Sequence, residues 1–275
     1  MPGSLSWLAM QLFPKQAPFT TPRTSGSHSM PPAAVLPQLD STTALFLDFD
    51  GTLVDISEQP ELVHVPIDLG SILQQLAASL NGALAIVSGR ALMDLDHFMS
   101  PLVLPLAAEH GSVQRFADGH IAQLARPELR DVERVALALA GQHAGLRVEI
   151  KSAAVALHYR HAPALEVLCI EEMAEVVKRT PGVELMKGKC VVEIKAAGVS
   201  KGTAIQDFMT QPPFAGRLPV FAGDDTTDES AFAAVQAMGG AGIKVGHGDS
   251  LARFRCSNPA QLRRWLQTGF ERACP

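Results

Sequence analysis

The sequence predicts an α/β protein: a mainly parallel sheet with helices between its strands, interrupted by an inserted layer of α+β pattern. Two observations carry this. Short apolar runs such as Leu45-Phe46-Leu47, Ala83-Leu84-Ala85-Ile86-Val87 and Leu218-Pro219-Val220-Phe221-Ala222 are too brief for helices, and they alternate with amphipathic helical stretches. From about Pro127 to Ala197 that alternation gives way to helix-strand-strand-helix-strand-strand.

The chain of 275 residues has room for one large domain, or for a core domain carrying an insertion. Its net charge is −5 with acids and bases interspersed, so no basic face for nucleic acid is expected, and no stretch resembles a membrane span. Cys169, Cys190, Cys256 and Cys274 lack any paired or metal-ligand spacing, which is the pattern of free thiols in a reducing compartment and points to the cytoplasm. Residues 1–40 are rich in proline, serine and threonine with no sustained apolar period. Their one apolar run, Trp7–Phe13, has no basic residue before it and no small-residue cleavage site after it, so a disordered extension is expected. No feature sets an oligomeric state.

The first strand runs through Leu45-Phe46-Leu47 into Asp48-Phe49-Asp50-Gly51-Thr52-Leu53. Two acids at the carboxyl end of a strand lie where open α/β sheets place their ligands. One carboxylate there can attack phosphorus beside a divalent cation while the other shuttles the proton of the leaving oxygen. Two solvated aspartates in a turn would give the same letters. Next, Leu69, Ile72, Leu73, Leu76 and Leu80 follow helical spacing, and Asn81-Gly82 ends that helix. The second strand, Ala83–Val87, runs into Ser88-Gly89-Arg90, completing a β-α-β unit with a parallel pair. A helix over about 91–99 leads to a third strand, Leu104–Ala108, then Glu109-His110-Gly111, then a hairpin over 112–124 turning at Asp118-Gly119.

The inserted layer has helices over 128–143 and 164–179 and hairpin-like pairs 147–151 with 154–160 and 183–187 with 190–195. The strand period of two puts Val148, Ile150, Leu157, Tyr159, Val192 and Ile194 on one face, expected to cover the two helices. The opposite face carries Glu149, Lys151, His158, Arg160, Lys189 and Glu193. Any half-exposed sheet has a polar face, but donors and acceptors in this density also suit a ligand with many hydroxyls.

Alternation resumes after Gly198. Ser200 is the expected N-cap of a helix that opens on Lys201-Gly202. A lysine there is unfavourable against the helix dipole, and a nearby anion would account for it. The fourth strand, Leu218–Ala222, ends in Gly223-Asp224-Asp225-Thr226-Thr227-Asp228-Glu229, a set of hard oxygen ligands of the kind Mg²⁺ takes, or equally a set of acidic helix caps. A helix over 229–238, a strand at 242–245 and a last helix from Pro259 to about Arg272 complete the chain.

Asp-x-Asp, Ser-Gly-Arg, Lys-Gly and Gly-Asp-Asp-x-x-Asp, in this order and each at a strand end or helix start, resemble the four motifs of the haloacid dehalogenase superfamily of phosphotransfer enzymes. Within it, Ala108-Glu109-His110-Gly111, Glu149-Ile150-Lys151, His158-Tyr159-Arg160, and Gly188-Lys189 with Glu193 are similar to the trehalose-6-phosphate phosphatases, over about residues 42–268. The pattern departs from that family at Ile194-Lys195-Ala196, where arginine-proline is usual.

The resemblance implies a Rossmann-like core formed by residues 41–125 and 198–275, with residues 126–197 as an inserted cap. It implies Mg²⁺-dependent hydrolysis of trehalose 6-phosphate, with Asp48 as nucleophile and metal ligand and Asp50 as acid and base, its backbone carbonyl a further ligand. Ser88 and Lys201 would hold the phosphoryl group and Asp224 would complete the metal site, with Asp225 or Asp228 orienting its waters. The six polar cap residues would grip the sugar. The alternatives are the same chemistry on sucrose phosphate or mannosyl-phosphoglycerate, and a non-catalytic sugar-phosphate-binding protein.

Overall fold

A computed structural model describes residues 35–273, apart from Glu58 and Arg126. Of the expected extension, residues 1–34 lie outside the described residues. Its last residues are held against the final helix: Leu39 is buried, and the Trp265 indole N–H donates to the Pro37 carbonyl at 3.1 Å.

Most of the chain builds a sheet of eight strands. Its strands are β1 (Thr43–Leu47), β2 (Leu84–Val87), β3 (Leu106–Ala108), β4 (Val113–Arg115), β5 (Ile121–Gln123), β10 (Leu218–Gly223), β11 (Ala241–Val245) and β12 (Phe254–Cys256), in the spatial order β12-β11-β10-β1-β2-β3-β4-β5. The pairs from β12 to β3 are parallel, and the β4–β5 hairpin adds an antiparallel edge. Every residue of β1 is buried, so both faces of the sheet are covered. Phe46 meets Phe208 and Phe214 at ring separations of 6.0 and 5.2 Å, while the pleat sends Leu45 and Leu47 to the opposite face.

The helices of this layer are α1 (Leu69–Ser79), α2 (Leu92–Met99), α5 (Lys201–Phe208), α6 (Glu229–Ala237) and α7 (Pro259–Ala273), with α1 against α7 and α5 against α6. The expected apolar face of α1 is the one that is buried, and Asn81 and Gly82 end the helix with positive φ, 50° and 83°.

The strand order reverses beside β1. The chain leaves β1 for β2 and β3 on one side and returns through β10, β11 and β12 on the other. The crevice above the carboxyl ends of β1 and β10 is therefore the topological switch point, the place such sheets reserve for ligands.

Residues between β5 and α5 form a separate four-stranded antiparallel sheet, β6-β7-β9-β8, from β6 (Arg147–Ile150), β7 (Ala154–His158), β8 (Val183–Gly188) and β9 (Val191–Ala196). It is backed by α3 (Arg130–Gln142) and α4 (Glu166–Lys178). Val155, Leu157, Tyr159, Val192 and Ile194 share a core with Val132, Ala136 and Leu139 of α3 and Cys169, Met173 and Val176 of α4. This is the apolar face expected from the period of two, with one difference: Ile150 is 50% exposed, because it is the last residue of an edge strand. The short strand β12 had no sequence signal, since Phe254-Arg255-Cys256 is only three residues long with arginine at its centre. No helix among the described residues is long and apolar enough to cross a membrane.

Candidate active site

Four segments of the large sheet bring their polar ends to the crevice. After β1 the chain wraps tightly, with the Phe49 carbonyl accepting the N–H groups of Leu53 and Val54 at 2.9 and 3.1 Å. This loop turns the Asp48 carboxylate inward, where the Thr52 hydroxyl donates to its Oδ2 at 3.1 Å. The turn needs Gly51 twice over. Its φ is +72°, and a Cβ there would sit 2.1 Å from Oδ2 of Asp224. Gly51→Ala is therefore expected to cost at least about 1 kcal/mol of stability and to weaken divalent-cation binding by displacing Asp224, read by urea unfolding and calorimetric titration.

Across the crevice, β10 ends at Gly223 and the chain enters a 3₁₀ turn at Thr226–Asp228 before α6. Asp228 is fully buried and fixes this segment: its Oδ2 accepts the backbone N–H groups of Asp224 and Asp225 at 2.8 and 2.9 Å. The buried Lys244 of β11 donates to the Asp224 carbonyl. The third segment is the start of α5, where Ser200 and Thr203 form a reciprocal capping box, as expected of Ser200. Lys201 then sits at the first helical position with its Nζ 2.7 Å from Oδ1 of Asp48 and 2.6 Å from Oδ1 of Asp228. The anion that the misplaced lysine called for is thus a pair of carboxylates from the two strand ends. Ser88, buried at the end of β2, is the fourth contribution.

Carboxylate oxygens of Asp48, Asp224 and Asp228 lie within 4.8 Å of one another. Burial, together with the nearby Asp228 and Asp224 charges, pushes the Asp48 carboxyl well above its ordinary range, against the pull of Lys201. Burial and the charges of Asp228 and Asp225 push the Asp224 carboxyl up to about 7. Burial acts to lower the Lys201 ammonium, but the two carboxylates outweigh it and hold the group above its ordinary value. Three carboxylates against one buried lysine leave an excess of negative charge lined with hard oxygens, which fits a divalent cation.

The polar face of the smaller sheet lines the same cleft, a cavity of about 270 Å³. Of the residues named from the sequence, Asp48, Asp50, Ser88, Glu149, Lys151, His158, Arg160, Lys189, Glu193, Lys201, Asp224 and Asp225 all line it; Asp228 lies buried beneath it. Lys151 spans the two sheets, donating to Oε2 of Glu193 at 2.7 Å and to the Gly89 carbonyl at 3.2 Å. Glu149 meets the His158 ring at 2.9 Å, a contact that holds its carboxyl down at about 2. Asp225 caps the 3₁₀ turn by accepting from the Thr226 N–H at 2.6 Å. Lys195, at the position where the family pattern departs, is buried and ties Glu184 to the Val199 carbonyl.

Sequence reasoning missed Arg90 as a site residue. Its guanidinium takes both oxygens of Asp50 at 2.6 and 2.7 Å while lying 4.9 Å from the Phe98 ring centre. The Asp50 carboxylate therefore faces arginine and not the Asp48–Asp224 cluster. Its place beside Ser88 in Ser-Gly-Arg was the available signal.

Comparison with known proteins supports the same reading. A family model described as trehalose-phosphatase matches residues 46–259. The chain is 41% identical over 238 residues to the trehalose-6-phosphate phosphatase of Escherichia coli K12, covering 86% of this chain and 90% of that one. Among solved structures, the C-terminal domain of the Candida albicans trehalose-6-phosphate phosphatase superposes with a TM-score of 0.77 at 23% identity, over 84% of this chain and 93% of that one. A haloacid dehalogenase subclass IIB sugar phosphatase superposes with a TM-score of 0.55 at 17% identity, over 83% of this chain and all of that one. These two likenesses show the fold.

Proposed function

The chain belongs to the trehalose-phosphatase family, and from that premise we propose that it hydrolyses trehalose 6-phosphate to trehalose and inorganic phosphate. The observation that carries the reading is the meeting of Asp48, Asp224 and Asp228 around Lys201 at the switch point, directly beneath the polar face of the smaller sheet.

In this reading Asp48 attacks the phosphorus of the sugar phosphate and forms an aspartyl-phosphate. Ser88 and Lys201 hold the charge of the transferring phosphoryl group. Asp50 protonates the departing sugar oxygen and then takes the proton of the water that hydrolyses the intermediate. Arg90 donates one hydrogen bond to each Asp50 oxygen, which orients the carboxylate and leaves a second lone pair on each oxygen for the proton transfers. Asp48, the Asp50 carbonyl and Asp224 would hold Mg²⁺, which offsets charge between nucleophile and phosphate. Asp225 would orient its waters. Asp228 serves the site by fixing the Asp224 backbone and Lys201. Residues 126–197 act as a cap whose polar face grips the sugar: Glu149 with Lys151, His158, Arg160, Lys189 and Glu193. A cytoplasmic location suits free Cys169, Cys190 and Cys256.

Phosphate release with Mg²⁺, and its loss on chelation, tests the reading across a panel of trehalose 6-phosphate, sucrose phosphate and mannosyl-phosphoglycerate. Equal or faster release from another member reassigns the substrate, and no release from any of them overturns the enzyme.

Metal affinity carries a pH signature. Asp224 must lose its proton to bind a cation, and its carboxyl titrates at about 7 in the metal-free protein. The apparent Mg²⁺ dissociation constant is expected to rise at least about tenfold per pH unit below 7, since Asp224 and the Asp48 carboxyl, also held above its ordinary range, must both be ionised to bind the ion. Because the folded carboxyl titrates above its ordinary 3.8, this group favours the metal-free fold below that value, and the contribution is lost as pH rises to about 7. Mg²⁺ restores the loss. Titration calorimetry and thermal unfolding at several pH values check both signs.

A further inference from the structure

The Glu-His-Gly segment follows β3 and packs against the loop after β2. Glu109 and His110 both adopt left-handed backbone, with φ of 49° and 58°, a conformation that non-glycine residues avoid unless their surroundings impose it. The surroundings here are the Ser88–Arg90 loop: the His110 N–H donates to the Ser88 carbonyl and the Glu109 N–H to the Arg90 carbonyl, both at 2.9 Å. Held in this way, the two side chains reach the smaller sheet. Oε2 of Glu109 accepts from the Ser152 hydroxyl at 2.6 Å and the Ala153 N–H at 3.3 Å, which fixes the turn that carries Lys151. The His110 ring lies directly over Gly89, where any Cβ would come within 2.6 Å of it, and its Nε2 is 3.8 Å from Oε1 of Glu193.

Two polar atoms in this cluster have no hydrogen-bond partner among the described residues: Nδ1 of His110 and Oε1 of Glu193. Both residues are more than nine-tenths buried, and both line the cleft. Buried polar atoms are rarely left unpaired, and when their side chains line a binding cleft a small rotation of the side chain brings them to what binds there. The neighbours define its chemistry. An anion would meet the Glu193 carboxylate and a metal ion the Lys151 ammonium, whereas a neutral hydroxyl satisfies both. We propose that His110 is a specificity-determining residue that hydrogen-bonds a sugar hydroxyl in concert with Oε1 of Glu193.

Burial, reinforced by the charges of Lys151, Lys201 and Lys195, holds the His110 imidazole well below its ordinary value, so it is neutral at pH 7. A neutral ring presents one donor and one acceptor, the two capacities of a hydroxyl. The assignment rests on the proposed function, because it requires a sugar phosphate in this cleft.

The test compares trehalose 6-phosphate with p-nitrophenyl phosphate, which has a phosphate and no sugar, in the wild type, H110A and H110N. H110A is expected to lower the ratio of the two kcat/KM values at least about tenfold, mainly through the KM for trehalose 6-phosphate. H110N, whose amide places a polar atom near Nδ1, is expected to recover part of that loss. Should H110A fail a thermal-unfolding check, H110N and H110Q carry the comparison. A ratio within about twofold of the wild type, or equal losses on both substrates, overturns the inference and leaves the proposed function standing. Wild-type protein that does not turn over trehalose 6-phosphate overturns the proposed function and the inference with it.

Discussion

Asp48→Asn is expected to lower Mg²⁺-dependent phosphate release by about 10⁴-fold or more while leaving a folded protein. The loss is that large because the amide cannot form an acyl-phosphate, and removing a covalent nucleophile is among the costliest single changes to an active site. The fold should survive because the asparagine keeps the shape and the hydrogen-bonding capacity toward Thr52 and Lys201. Burial already disfavours the charged form of Asp48, so a neutral isostere is expected to leave the melting temperature of the metal-free protein unchanged or raised. Single-turnover phosphate release and thermal unfolding together check the prediction. Residual turnover near the wild-type rate would remove Asp48 from the nucleophile's role.

Lys201→Met is expected to damage both activity and stability. The ammonium is the single cation between Oδ1 of Asp48 and Oδ1 of Asp228, and all three groups are buried. Removing one partner of a buried charge set leaves the others uncompensated, at a cost of about 3–5 kcal/mol, moderated where the carboxylates take up protons. Catalysis should fall by about 10²–10³-fold from loss of the charge opposing the phosphoryl group. The two effects separate by pH. Lowering pH protonates Asp48, whose carboxyl burial already holds above its ordinary range, and should restore part of the stability of the variant, yet none of the activity. Denaturant unfolding at two pH values, with kcat measured alongside, reads both.

The core of the site was legible because charge is expensive where it occurs. Acids at the ends of buried runs, at Asp48 and Asp224, and a lysine at a helix start are local anomalies that a sequence displays without knowledge of contacts. Asp228 was harder to place. It reads as the N-cap of the following helix, whereas its side chain closes the capping box of the preceding 3₁₀ turn, and its burial and its bond to Lys201 arise from segments 27 residues apart that meet only in the folded sheet. Arg90 and His110 were hidden for a related reason: each stands in a recognisable triplet, but its partner, Asp50 or Glu193, lies far along the chain. The period of two assigned the faces of the smaller sheet and failed only at Ile150, where alternation says nothing about how far a covering helix extends. Strand β12 was missed because it gains its order from pairing with β11, with no apolar run of its own.

The two hydrophobic cores share no residues. One belongs to the eight-stranded sheet and holds Leu45, Phe46 and Phe221, and the other belongs to the inserted layer and holds Leu157, Met173 and Ile194. Asp48, Ser88, Lys201 and Asp224 all stand on the first; Glu149, Lys151, His158, Arg160, Lys189 and Glu193 all stand on the second. The groups proposed to act on phosphorus and the six proposed to grip the sugar from the inserted layer thus lie on separately packed stretches of sequence, with His110 a proposed sugar contact rooted in the first. Substitutions that repack the inserted layer away from Lys151, whose bond to the Gly89 carbonyl joins the two layers, are therefore expected to shift the choice of sugar more readily than the chemistry at phosphorus.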